Sequence, residues 1–384
     1  MSENKIKFYK KSTGKIYPVE RKIATPEMPD IIRLELTNTC NLSCPHCRHH
    51  SEEKRLPENY AEYYKTEESI SNQQVDQIFD EIAKYNYKPS VTLNVANEPL
   101  IAPSFKYAVE TVKKHRLAGT FNSNGLALTA EMSQFLVDQQ YDSVNISIDA
   151  YTPETLLLAR GITSLDKLVR NVERLVEIRG DKKLPRVGVT FVVTDYNSHE
   201  VDDFLAFWKK RVDVIRLTGY ITDKSPDMSV LPDANMELLN NRVPCKQIFR
   251  DIVIRANGDV TPCVITSEEP SVIMGNIFTD GGIHGVWHGE KFNKWRELHN
   301  GGRWDEIDYC RGCDYWIETF DIKEEIKDGF LIRTPSPYTV FFNVIDKLEN
   351  WDRDELHDRQ SMGTTQSMGS LDGMTTYQAE SHDS

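Results

Sequence analysis

No apolar run of about eighteen residues, the length needed to cross a bilayer as a helix, occurs in the chain. Its first residues, MSENKIKFYKKSTGK, carry charge in place of the apolar stretch of a secretory signal. Neither membrane span nor export is indicated, and a cytoplasmic protein is expected. Positive charge is in deficit: 46 Lys and Arg stand against 59 Asp and Glu, a formal net charge of −13. That balance argues against nucleic acid as a partner. Cysteine is scarce as well, with seven in 384 residues. An odd number, in a chain long enough to bury its own core, does not suit a disulfide framework.

The seven fall into two sets. Cys40, Cys44 and Cys47 form a triplet with three and two intervening residues, following an apolar alternation, Ile31 to Thr37, that reads as a strand entering a loop. Thiolates so closely spaced can converge on one centre, and soft sulfur selects zinc, copper(I) or an iron–sulfur cluster. A structural zinc would need a fourth ligand, which His46, His49 or His50 could supply. The second set is Cys245, Cys263, Cys310 and Cys313. Cys245 and Cys263 flank a strand, an Asn257-Gly258 turn and a second strand, a hairpin that would bring the two cysteines together. Cys310-Arg311-Gly312-Cys313 presents two sulfurs to one metal, so this set alone would suit zinc or a cluster.

Between the sets the pattern alternates strand and helix, the mark of a parallel α/β architecture. Helices are predicted over residues 72–82, 105–115, 130–139, 165–178 and 200–210. Strands are predicted over 91–95, 144–149, 187–193 and 214–217, with another ending at 121–125. Counted from Ile31, these make six strand–helix units. A further helix is expected over 287–298.

Thr39-Cys40-Asn41-Leu42-Ser43-Cys44-Pro45-His46-Cys47 closely resembles the signature of radical S-adenosylmethionine (SAM) proteins. In that family three cysteines hold a [4Fe–4S] cluster whose fourth iron binds SAM. The residue before the last cysteine is usually aromatic and lies near the adenine; here it is His46. Six strand–helix units resemble the family's open barrel, whose ligands gather at the C-terminal strand ends. Four landmarks fall there. Asn97-Glu98-Pro99 resembles the end of the family's second strand, which implies that Glu98 contacts the SAM amino group beside Asn97; a helix-capping Glu next to a turn proline is the plainer alternative. Ser123-Asn124-Gly125 resembles the turn after the third strand. Ser147 and Asp149 resemble the end of the fourth, where polar side chains face SAM. Arg160 lies where the family often has an arginine near the SAM carboxylate, although a solvated helix-end arginine would look the same.

Beside such a core, residues 243–314 resemble the Twitch/SPASM type of C-terminal extension, which implies an auxiliary [4Fe–4S] cluster on Cys245, Cys263, Cys310 and Cys313. No cysteine follows Cys313, which suits the one-cluster Twitch variety. The fold class expected is therefore α/β: a partial (β/α)6 TIM-like radical SAM barrel followed by a small α+β Twitch/SPASM-type domain. The divisions are an N-terminal extension over 1–30, the core over 31–222, a linker over 223–242, the auxiliary domain over 243–320 and an extension over 321–384. From about residue 352 the composition is that of a disordered tail. Nine acids and three bases lie from Asp346 onward, so much of the net charge belongs to that end.

The resemblance implies an enzyme that takes an electron, from a donor such as flavodoxin or ferredoxin, to cleave SAM into methionine and a 5′-deoxyadenosyl radical that abstracts hydrogen from a substrate carbon. An auxiliary cluster could accept the electron left on the substrate, as in Twitch dehydrogenases of aminoglycoside biosynthesis. If both clusters are held by cysteine, no thiol remains to return a hydrogen atom, which favours oxidation, cross-linking or elimination over thiol-quenched epimerisation. The segment before Ile31 is too short for the separate recognition domain of many peptide maturases. Together with the acidic charge, this leads to the expectation of a sugar, aminocyclitol or similar small polyol as substrate, with a precursor peptide second. A non-catalytic zinc-binding protein is the reading of a different class.

Overall fold

In the computed structural model, six segments rich in apolar and β-branched residues pair in parallel: β1 (Ile31–Leu34), β2 (Ser90–Thr92), β3 (Ala118–Ser123), β4 (Ser143–Ser147), β5 (Arg186–Val193) and β6 (Val214–Gly219). The described residues are 8–10, 16–18, 22–51, 63–64, 66–222, 225–226, 242–266, 272–316, 323–336 and 338–351. Helices return the chain between the strands: α1 (Asn72–Lys84), α2 (Phe105–Lys114), α3 (Ala130–Asp138), α4 (Pro153–Arg160), α5 (Leu165–Arg179) and α6 (Val201–Trp208). All but α4 were legible from their periodicity.

Their starts follow from local chemistry. Ser71 accepts the Gln74 N–H while the Gln74 side chain accepts the Ser71 N–H, a reciprocal capping box. Thr129 and Thr152 accept the N–H groups of Met132 and Thr155 and so satisfy donors that helices α3 and α4 would leave free. The faces so oriented bury Val75, Ile78, Phe79 and Ile82 of α1, and Leu168, Val172 and Leu175 of α5. Each such side chain contributes about 1.5–3 kcal/mol by leaving water.

Both edges of the parallel sheet are extended. After the short helix α7 (Gln247–Arg250) the hairpin appears as expected, with β7 (Asp251–Ile254) antiparallel to β8 (Asp259–Thr261). Gly258 has φ +89°, which a side-chain-bearing residue adopts only with strain. β7 also pairs in parallel with β1, so the cysteine-bearing segment continues the core sheet. β9 (Gly275–Asn276) pairs antiparallel with β8. The helix expected over 287–298 is two helices, α8 (Gly282–Trp287) and α9 (Glu290–Asn300), divided where Gly289 caps the second.

The extension expected after residue 320 adds a meander to the other edge: β10 (Lys323–Lys327), β11 (Phe330–Ser336) and β12 (Thr339–Val344), with β12 antiparallel to β6. Among the described residues the sheet therefore has twelve strands, in the order β9-β8-β7-β1-β2-β3-β4-β5-β6-β12-β11-β10. Buried Arg186 donates to Asn343 Oδ1 at 2.9 Å, and Asn343 donates to the Leu331 carbonyl at 2.8 Å. The linker over 223–242, except 225–226 and 242, and the tail from 352 lie outside the described residues. No described helix is long and apolar enough to cross a membrane.

Candidate functional site

The C-terminal ends of the parallel strands carry most of the side chains singled out in the sequence, and two hydrogen-bonded groups form there around the thiol loop. Cys40, Cys44 and Cys47 follow β1 in a loop braced by the Cys47 N–H on the Cys44 carbonyl at 2.9 Å. In the first group, Glu98 is 1% exposed. One of its carboxylate oxygens accepts from the Ser123 hydroxyl at 2.8 Å and the Leu100 N–H at 3.1 Å; the other accepts from the Asn124 N–H at 2.7 Å. Its own N–H donates to the Thr39 carbonyl at 3.0 Å, next to Cys40. Asn124 Nδ2 then reaches Asn41 Oδ1 at 2.7 Å and Cys40 Sγ at 3.9 Å. Glu98 is thus both the capping residue of the turn at Pro99 and the strap that joins the β2 and β3 ends to the thiol loop.

The second group gathers on Asp149, which is fully buried and has φ +64°. The strand expected to run to Asp149 ends at Ser147, and this left-handed turn aims the carboxylate back across the sheet. Its Oδ1 accepts the Val192 N–H at 2.7 Å; its Oδ2 lies 2.5 Å from Arg160 Nη2 and 3.9 Å from His46 Nε2. Arg160 is at the last turn of α4, which ends on Gly161 at φ +72°, and its Nη1 is 3.9 Å from Cys44 Sγ. Burial opposes the guanidinium charge, but Asp149 and the Cys44 sulfur outweigh it and hold Arg160 protonated. Burial also lowers the His46 pKa, against the pull of Asp149. The His46 ring meets Tyr220 edge-on at 6.1 Å.

Asn97 and Ser147 complete the predicted set. Asn97 Oδ1 accepts the Val95 N–H at 3.0 Å, while its Nδ2 is buried with no hydrogen-bond partner among the described residues. Ser147, at the end of β4, lies opposite Thr190 of β5.

Sequence reasoning missed three residues. Glu35 is 1% exposed; its carboxylate accepts from Tyr63 Oη at 2.6 Å and from the N–H groups of Ala96 and Ala256 at 3.4 Å, and so ties the end of β1 to the hairpin turn. Burial raises its pKa despite those donors, with His49 and Arg255 nearby. Glu200 receives the Tyr151 N–H at 2.6 Å and the hydroxyls of Thr152 and Thr155 at 2.5 and 2.8 Å, and so anchors the start of the helix that carries Arg160. Tyr220, after β6, donates to the His46 carbonyl at 3.3 Å. The only signal available for Glu35 was a charge inside the apolar alternation Ile32, Leu34, Leu36.

The chemistry of both thiol sets fits iron–sulfur clusters. Burial pushes the Cys40 thiol up to about 11, with smaller contributions from the charges of Glu98, Cys44 and Cys47. Burial likewise raises Cys245 well above the usual thiol value, with smaller contributions in the same direction from the charges of Cys263, Cys313 and Cys310. Such mutual repulsion is relieved when a metal centre takes up the sulfurs as thiolates. Polar hydrogens already point at sulfur in the first set: Asn124 at Cys40, Arg160 at Cys44, and the His50 N–H at Cys47 at 3.4 Å.

Comparison with known proteins agrees with this geometry. Residues 34–207 match the family model of the radical SAM superfamily, and residues 245–314 match SPASM, described as an iron–sulfur cluster-binding domain. The mycofactocin maturase MftC of Mycolicibacterium smegmatis is 26% identical over 324 residues, covering 74% of this chain and 78% of that protein. A tungsten-containing aldehyde ferredoxin oxidoreductase cofactor-modifying protein of Pyrococcus furiosus is 23% identical, covering 75% and 90%. Among solved structures, Streptococcus suis SuiB bound to precursor peptide SuiA aligns with a TM-score of 0.57 at 13% identity, covering 71% of this chain and 67% of that one. With the thiol loop at the strand ends and the second thiol set each inside its matched segment, the chain belongs to the radical SAM superfamily and carries a SPASM-type cluster-binding domain.

Proposed function

We propose that the chain is a radical SAM maturase that modifies a precursor peptide, and the observation that carries this reading is the similarity to a maturase over 74% of the chain. The expectation of a sugar or other polyol rested on net acidity and on the length of chain before Ile31, neither of which concerns the strand ends where the chemistry lies. Cys40, Cys44 and Cys47 are the proposed ligands of the SAM-binding cluster, and Cys245, Cys263, Cys310 and Cys313 those of the auxiliary cluster. When bound and reduced at the first cluster, SAM supplies the radical that removes hydrogen from a substrate carbon.

The chain's own residues bind and orient. Glu98, Ser123 and Asn124 hold the β2 and β3 ends against the thiol loop. Asn97 offers its buried amide Nδ2 as a donor with no competing protein acceptor among the described residues. His46 and Tyr220 pack over the thiol loop, and Ser147 and Asp149 line the neighbouring strand end. Glu35 keeps the hairpin of the second thiol segment in register with β1, so both thiol sets rest on one sheet.

Anaerobic co-expression with a short peptide encoded beside the gene, read by mass spectrometry, tests the reading. A mass change in the peptide that disappears in Cys44→Ala supports it. An unmodified peptide, with 5′-deoxyadenosine formation stimulated by an aminocyclitol, would overturn the choice of substrate. Purified protein should contain about eight irons per chain, four for each cubane.

A further inference from the structure

Arg160 is placed by sequence motif where the family's arginine meets the SAM carboxylate, yet its guanidinium faces a different pair of groups. Nη2 lies 2.5 Å from Asp149 Oδ2 and Nη1 lies 3.9 Å from Cys44 Sγ. We propose that Arg160 and Asp149 are an opposed charge pair that sets the reduction potential of the cluster on Cys40, Cys44 and Cys47, Arg160 raising it and Asp149 limiting the rise. The inference rests on the proposed assignment of those three cysteines as ligands.

The physical basis is the charge that arrives on reduction. A one-electron donor adds one negative charge to the cluster and its thiolate sulfurs, and hydrogen bonds to sulfur, local charge and burial set how favourable that is. Cys44 is the most buried of the three, at 7% exposure, so the guanidinium beside it is poorly screened by water. A cation there stabilises the reduced state more than the oxidised one. Asp149 acts in the opposite sense from one position further out.

The pair is built so that neither charge can withdraw. Arg160 is 9% exposed at the end of α4, and the far end of that helix is held by Glu200 on Tyr151, Thr152 and Thr155. Asp149 is fully buried, its side chain fixed by the Val192 N–H at 2.7 Å and its carbonyl by Asn197 Nδ2 at 3.0 Å. Asn197 in turn accepts the Thr194 N–H at 2.7 Å. A salt bridge formed only to fill a surface would need none of this bracing. His46 Nε2 lies 3.9 Å from the same carboxylate oxygen.

The test is the midpoint potential of the reconstituted full chain, measured by paramagnetic resonance at poised potentials set with dithionite and mediator dyes. Arg160→Met should lower the ratio of reduced to oxidised cluster at fixed poise about tenfold, which is about 59 mV for one electron. Asp149→Asn, which keeps a hydrogen-bonding side chain able to adopt the left-handed backbone, should raise it by a similar factor. Arg160→Lys should recover much of the loss. The signal to follow is the one that Cys44→Ala abolishes. If no signal depends on Cys44, the ligand assignment fails and the proposal with it. If a Cys44-dependent signal persists but Arg160→Met and Asp149→Asn shift it in the same direction, or by less than threefold, the charge-pair idea fails while the assignment stands. Should Arg160→Met load no iron, the opposite shifts of Asp149→Asn and Arg160→Lys decide the question: Asp149→Asn must still rise, and no rise overturns the proposal.

Discussion

Replacing Glu98 by alanine separates two roles that the sequence alone could not. Were Glu98 only a contact for SAM, the cluster-free protein would unfold at the same denaturant concentration with or without it. The structure argues otherwise, because its carboxylate is the acceptor for three buried donors: the Ser123 hydroxyl and the N–H groups of Leu100 and Asn124. Stranding a buried donor costs about 1–3 kcal/mol, which bounds the loss at roughly 3–9 kcal/mol. Two effects reduce it. Burial raises the Glu98 pKa, so part of what the three donors contribute is already spent on desolvating the charge. The volume vacated by the side chain also admits water, which can re-satisfy one or two donors. The expected loss is therefore about 2–4 kcal/mol, a large share of the roughly 5–15 kcal/mol typical of a folded domain. Glu98→Gln keeps one acceptor oxygen but sets its amide NH2 against an N–H, and should fall between wild type and Glu98→Ala. Urea unfolding of the cluster-free chain, followed by the fluorescence of its six tryptophans, measures both. A loss below about 0.5 kcal/mol for Glu98→Ala, the range of ordinary surface substitutions, would refute the strap argument.

Two further expectations concern the scaffold beneath the site. Burial alone would raise the Glu200 pKa, but the Thr152 hydroxyl, the Tyr151 N–H and the Thr155 hydroxyl outweigh it and hold the carboxyl below its usual 4.5. The stability it contributes is therefore present above pH 4.5 and is lost as pH falls through the depressed value. Glu200→Gln should be less stable than wild type by about 1–3 kcal/mol at neutral pH. That gap should close on acidification, and a constant difference in urea midpoint from pH 7 to pH 3 would contradict it. Gly188 in β5 has no room for a methyl group: an added Cβ would lie 2.7 Å from Val214 Cγ1 and closer still to Asn145 Oδ1. Gly188→Ala should cost about 1–3 kcal/mol by overpacking, so an unchanged melting temperature would show that the strand can shift to accept it.

How much of this was legible in the sequence depends on the range of each interaction. The cysteine triplet, the Asn257-Gly258 turn and five of the helices are written in residues a few positions apart, and each is found where spacing and periodicity place it. The parallel pairing of β7 with β1 is not local: Asp251 lies opposite Ile31, and no pattern within either segment specifies the other. The meander after residue 320 escaped for a related reason, since β11 includes Pro335, a residue that weakens a strand assignment, and its stability comes from β6 and from the buried Arg186–Asn343 contact. The site divides in the same way. Motif position correctly brought Glu98, Ser123, Asn124, Asp149 and Arg160 to one end of the sheet, because a strand's length and direction determine which residues arrive there. It could not say which of them meet. Asp149 reaches Arg160 because the chain leaves β4 in a left-handed turn and the start of α4 at Thr152 is held by the carboxylate of Glu200, fifty-one residues further along than Asp149. The consequence is chemical as well as geometric: an arginine already engaged by a fixed carboxylate and a buried sulfur is less available to a substrate carboxylate than one facing water, so position in a motif identifies a candidate while its partners decide what it does.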